Sequence, residues 1–185
     1  MSEDNSIGGV VHEQVMPLEW QQHDAFPEDL DIIHQHDANL TLLHTINVIE
    51  SKPVENDDSE MQSDVVRLEN KVDLVLDLLS SLIRQTRPLP PNAKARLGGE
   101  GMEWASGEEA PLPAAGSKLT VSFHLNKMIP SPIVLWGEVV DVALHDSARW
   151  ATLRFGPMSQ QFEQAWVKLI FRHHRRAIAM ARANR

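Results

Sequence analysis

The chain has 185 residues, with 17 Lys and Arg against 26 Asp and Glu, no cysteine and a formal charge of −9. That length holds one domain of about 100 to 150 residues plus extensions. The missing cysteine excludes disulfides, thiolate metal sites and cysteine nucleophiles together, which suits a reducing cytosol. No basic start followed by an apolar run marks a secretory signal, and no apolar stretch approaches the roughly 20 residues of a membrane helix. A cytoplasmic protein without membrane insertion is expected.

The charge is unevenly spread. Residues 1–64 contain one basic residue, Lys52, whereas residues 168–185 carry Lys168, Arg172, Arg175, Arg176, Arg182 and Arg185 and no acid. An acidic solvated arm and a basic tail follow from this split. The acidic arm repels phosphates, so whole-molecule nucleic-acid binding is not expected.

Residues 1–26 show no periodicity and many polar groups, which predicts a disordered acidic N-terminus. From Pro27 the pattern changes. Leu30, Ile33, Leu40, Leu43 and Ile46 fall near helical spacing, interrupted by Asp37 and His44. Residues 27–56 are therefore read as an amphipathic helix, to about Ser51, and its breaker. Pro53 stops that helix, and Asp57, Asp58 and Ser59 are candidate N-caps for the next.

Residues 57–86 hold the clearest signal. Met61, Val65, Leu68, Val72, Val75, Leu79 and Leu82 follow 4-3-4-3-4-3 spacing, the seam of a heptad repeat. Val65, Val72 and Leu79 take position a; Met61, Leu68, Val75 and Leu82 take position d. The helix would be about 35 Å long over residues 61–83. Leu76, Leu78 and Ile83 widen the stripe, which fits three or more packed helices better than two. Packing on the chain's own domain is the competing reading. Asp64 and Glu69 would oppose each other in a parallel pair.

RQTRPLPPNAKAR then forces extended chain and reads as a linker. Residues 87–185 read as a small β domain closed by a helix. SKLTVSFHL alternates, with Leu119, Val121, Phe123 and Leu125 on one face and Thr120, Ser122 and His124 on the other. IVLWGEVVDVAL carries Gly137 in its middle, where a bulge or sharp bend is expected. RWATLRF alternates again through Leu153 and Phe155. Such short strands suggest a small antiparallel barrel or sandwich. Ser159 is a candidate N-cap for a last helix whose inner face carries Phe162, Trp166, Leu169, Ile170, His173 and Ala177 and whose outer face is basic.

No chemistry of catalysis is visible. No serine sits in a Gly-x-Ser-x-Gly elbow, and paired acids are plentiful only in the solvated arm. His34 and His36 suggest a metal with His44, but residues two apart on a helix point about 200° away from each other. His173 and His174 read as one core-facing and one solvent-facing residue. The basic tail reads as a solvated face that neutralises the acidic arm. Without interleaved exposed aromatics it is not a nucleic-acid platform. No catalytic residue, metal or cofactor is expected.

RLGGEGMEW, Arg96 to Trp104, has three glycines between a cation and an aromatic residue. A Walker loop needs Gly-Lys-Ser/Thr at its end, and a Rossmann loop needs a helix after its glycines. Here the glycines run into a strand, so both readings fail.

Taken together, residues 84–185 resemble the PilZ domain. The resemblance rests on the basic proline-rich linker, the strand opening Gly101-Met102-Glu103-Trp104, Pro113-x-x-Gly116, Gly137-Glu138-Val139-Val140, Leu153-Arg154-Phe155, and the helix with Ile170-Phe171-Arg172 and His174-Arg175-Arg176. With RLENKVDLVLDLL ahead of it, the whole chain is similar to the atypical tetrameric PilZ proteins of xanthomonads and related bacteria. The resemblance implies an α+β fold: a six-stranded antiparallel β-barrel with a C-terminal helix, preceded by the long heptad helix. It implies a homo-oligomer, with a tetramer favoured, and a role with protein partners in motility, biofilm or virulence regulation linked to cyclic di-GMP. PilZ domains that bind this nucleotide use Arg-x-x-x-Arg and Asp/Asn-x-Ser-x-x-Gly. This chain has Arg84-x-x-Arg87, one residue short. If Gly101 is the final glycine, Arg96 stands for the acid and Gly98 for the serine, so tight cyclic di-GMP binding is not expected. Arg84, Arg87 and Arg96 are the residues an unusual site would use.

Overall fold

The computed structural model describes residues 7–50, 60–106, 111–126, 129–145 and 148–183. The candidate caps Asp57, Asp58 and Ser59 lie outside the described residues. Six antiparallel strands close into a barrel in the order β1-β2-β3-β6-β5-β4. They are β1 (His12–His23), β2 (Asn92–Leu97), β3 (Gly101–Ser106), β4 (Lys118–Phe123), β5 (Ile133–His145) and β6 (Ala148–Phe155). The helices are α1 (Asp29–Glu50), α2 (Glu60–Thr86) and α3 (Gln160–Ala183). The α+β barrel with a C-terminal helix stands as expected.

The first strand corrects the reading of residues 1–26 as disordered. His12–Pro17 pairs with β2, and Leu18–His23 pairs with β4. One strand thus closes the barrel by passing from one neighbour to the other. Pro17 sits at the crossing, where its carbonyl accepts the His124 N–H at 3.0 Å. Met16 and Leu18 are buried inside the barrel. The barrel therefore extends beyond residues 87–185, and both α1 and α2 are inserted between its first two strands. β2 likewise occupies chain that reads as linker.

The alternating strands behave as their pattern predicts. Leu119, Val121 and Phe123 are buried, as is Leu153, with Phe155 packed partly buried against them. His124 differs: it is buried, with Nδ1 at 3.4 Å from the Ile129 carbonyl. The irregularity expected at Gly137 falls instead between Val139 and Asp141. Gly137 has another reason to be glycine, because a Cβ there would collide with the Arg154 carbonyl oxygen of β6.

Ser159 caps α3: its Oγ accepts the Phe162 N–H at 3.4 Å, and its carbonyl accepts that of Glu163 at 2.9 Å. Phe162, Trp166, Leu169, Ile170 and His173 are buried over the barrel. Trp166 meets the rings of Phe123, Phe155 and Phe162. Ala177 is exposed, against expectation, since every residue from Arg175 to Ala183 lies in solvent.

α1 forms where expected, and Leu40, Leu43 and Ile46 of its expected stripe pack inward, but its first turns do not follow that stripe. His36, Asn39, Leu43 and Ile46 are buried, while Leu30 and Ile33 are 61% and 53% exposed. Asn39 explains itself through β5. It donates to the Val134 carbonyl at 2.7 Å and accepts the Val134 N–H at 3.1 Å, completing backbone that β6 is too short to reach. His36 stacks on Phe162 at 5.3 Å and accepts the Ser159 N–H at 3.3 Å. At the other end Glu50 receives Arg172, His173 and Arg176, tying α1 to α3.

Burial holds three imidazoles, His12, His36 and His124, below their ordinary value of 6.5. The unfolded chain therefore takes up protons first as pH falls, and the folded state loses stability through that window. Thermal unfolding is expected at a lower temperature near pH 5.5 than near pH 7.5, roughly either side of the free imidazole range. A melting temperature that rises on acidification would contradict this burial.

Candidate functional site

α2 carries an apolar band whose described side chains are exposed. Leu68, Val72, Val75, Leu79 and Leu82 lie between 49% and 61% exposed, and Leu74, Leu76, Leu78 and Ile83 are exposed beside them. The side chains of Met61 and Val65, the first two seam positions, lie outside the described residues. Among the described residues α2 has no extended packing on another element, in contrast to α1, which lies on α3 and β5. The helix ends at Thr86 because Pro88 follows; the Thr86 hydroxyl and the Arg87 N–H both turn back to the Ile83 carbonyl, at 2.9 and 2.8 Å. A contiguous band of nine large apolar side chains is far from usual for a lone chain in water. Burying each is worth about 1.5–3 kcal/mol.

The glycine-rich loop between β2 and β3 is closed by the chain's own N-terminal segment. The Gly98 N–H donates to the Gly101 carbonyl at 2.9 Å. The next two amides, which could have cradled an anion, are already used: Gly99 donates to the Gly8 carbonyl at 3.2 Å and Glu100 to the Ile7 carbonyl at 2.9 Å. Trp166 Nε1–H takes the Gly98 carbonyl at 2.9 Å. Gly98 is required because a Cβ would strike the Ile7 carbonyl oxygen. A cavity of about 200 Å³ remains beside the loop, lined in part by Val10, Val167 and Phe171 and by the acids Glu100 and Glu163. Those carboxylates repel a phosphate.

Arg96 is equally occupied. Its guanidinium donates to Glu13 Oε2 at 3.3 Å and Glu103 Oε2 at 3.4 Å, and lies 4.6 Å from the centre of the Trp150 ring. Lys94 joins Glu13 at 2.9 Å, and its ammonium holds that carboxyl below the usual range, with Arg96 adding to the effect. A phosphate would have to displace two carboxylates to reach Arg96. Arg87 is exposed just past the end of α2, and no described contact joins it to Arg96; the Arg84 side chain lies outside the described residues.

His34 and His44 are exposed and His36 is buried, so the fold does not gather the three imidazoles. His173 is buried with Nε2 at 2.9 Å from Glu50, whereas His174 is half-buried and bonds the Val11 carbonyl at 2.8 Å. Neither the loop closure by Ile7 and Gly8 nor the pairing of Glu13 was visible in the sequence. The one available signal was Gly8-Gly9, two glycines that both adopt positive φ in an otherwise unpatterned segment.

The family described as atypical PilZ domain, cyclic di-GMP receptor, matches residues 40–183. A crystal structure of a pathogenic protein from Xanthomonas campestris, a tetrameric PilZ domain self-assembled via an unusual helical bundle, is similar with a TM-score of 0.68 and 25% identity. The match covers 92% of this chain and 90% of that one. No curated protein matches.

Proposed function

The chain belongs to the atypical PilZ domain family, and from that premise we propose a non-enzymatic regulatory module that self-associates through α2 and acts on protein partners without binding cyclic di-GMP tightly. The bare apolar band of α2 carries the proposal. Its heptad period fits a bundle of helices, and the Xanthomonas protein assembles as a tetramer via a helical bundle. A parallel homotetramer is the assembly we assign. The output we assign is control of motility, biofilm or virulence from the cytoplasm, by analogy with the family. Multi-angle light scattering on the full chain tests the assembly: a mass of four chains supports it, and a monomer at micromolar concentration removes it.

A second reading has its own support. The family is described as a cyclic di-GMP receptor, so Arg84, Arg87 and Arg96 could form an unusual site. Against it, with Gly101 taken as the motif's final glycine, Arg96 and Gly98 stand in the places of an acid and a serine, and each unsatisfied polar partner costs about 1–3 kcal/mol. Isothermal calorimetry with cyclic di-GMP is expected to show no saturable heat at micromolar protein. Saturation with micromolar or tighter affinity would establish the receptor reading instead.

A further inference from the structure

α3 carries a second stripe on its outer side. Lys168, Phe171, Arg175, Ile178 and Arg182 follow 3-4-3-4 spacing, which sets them on one face, opposite the buried Phe162, Trp166, Leu169 and His173. All five are exposed, Phe171 at 46% and Ile178 at 40%. Among the described residues no carboxylate pairs with Lys168, Arg175 or Arg182, whereas Arg172 and Arg176, further round the helix, are held by Glu50. The helix has no acid after Glu163. From Arg175 to Ala183 every residue is exposed, so a second helix can lie along this end.

Cations at alternate stripe positions make two copies of this face repel, so it does not pair with itself. Its period and its alternation of cation with apolar group complement a helix that offers acids and apolar residues at the same spacing. A lipid surface would favour a broad apolar face, whereas here Phe171 and Ile178 stand among cations. Phe171 is the stripe's sole aromatic residue, which is no stacking platform for bases.

We propose that the outer face of α3 docks an acidic amphipathic helix of a protein partner. Carboxylates meet Lys168, Arg175 and Arg182, and apolar side chains cover Phe171 and Ile178. This rests on the protein-partner reading above and places its contact surface away from α2.

Fluorescence anisotropy on the full chain tests it, using a labelled synthetic helix of about three heptads with Glu and Leu at the facing positions, and a control with Lys in place of Glu. The acidic peptide is expected to bind with micromolar affinity and the Lys peptide not to bind. Arg175→Glu/Arg182→Glu and Phe171→Ser/Ile178→Ser should each weaken binding at least about tenfold. No binding of the acidic peptide, equal binding by all variants, or preference for anionic vesicles or duplex DNA overturns the proposal. Light scattering on the same variants separates this surface from self-association: an unchanged mass is expected, and a changed mass would assign the stripe to the assembly instead.

Discussion

A protein lacking residues 1–26 is expected to be unfolded, with no cooperative thermal transition and no near-ultraviolet dichroism from its buried tryptophans. β1 is the strand that closes the barrel. Without it, β2 and β4 both become open edges, each having lost a run of six paired residues. Met16 and Leu18 leave the core, at about 1.5–3 kcal/mol apiece. Ile7 no longer closes the β2–β3 loop. Together these losses are of the order of the 5–15 kcal/mol that holds a typical domain folded. A disordered arm would give the opposite outcome, a truncated protein that melts cooperatively near the temperature of the full chain. Met16→Asp makes the same point without truncation, since it places an unpaired carboxylate in the barrel interior.

Leu68→Asp/Leu79→Asp is expected to sediment as a single chain with an intact barrel. Both side chains are at least half exposed within one chain, so the substitution costs the barrel little. In a four-helix bundle it would bring eight carboxylates to the seam, at d and a positions that are dry once the helices pack. Each unpaired buried charge costs several kcal/mol, which exceeds what the remaining leucines and valines recover. Sedimentation velocity reads the mass, and thermal unfolding of the barrel reports on the rest. A variant of unchanged mass would show that α2 is not the assembly element. A variant of lower mass whose barrel has also unfolded would show that barrel and bundle are one folding unit.

The elements legible in the sequence share one property: their pattern is uninterrupted by polar groups. The heptad of α2, the alternation of β4 and the Phe162, Trp166, Leu169 and Ile170 part of the α3 stripe each present apolar residues at a single period; β4 and that part of α3 are buried as the period predicts, whereas the α2 seam stands exposed on the single chain. The family resemblance was legible for the same reason, through short strands in a fixed order. α1 was half legible. Its helix is local, but its inner face is built on His36, Asn39 and Glu50, which are tolerated only because Ser159, Val134 and the α3 cations satisfy them.

The sequence by itself determined that this chain makes a β domain with a closing helix and a long apolar-seamed helix. Tertiary structure alone decided three further things. It made β1 a strand from a segment whose composition reads as solvated. It filled the glycine-rich loop with Ile7 and Gly8 rather than an anion. It bound Arg96 between Glu13 and Glu103. The physical reason is common to all three: their partners lie about 80 or more residues away in sequence or on neighbouring strands, and a polar group's fate depends on whether such a partner arrives. Local periodicity records which side chains prefer to leave water. It carries no record of which distant carbonyl or carboxylate will meet those that remain.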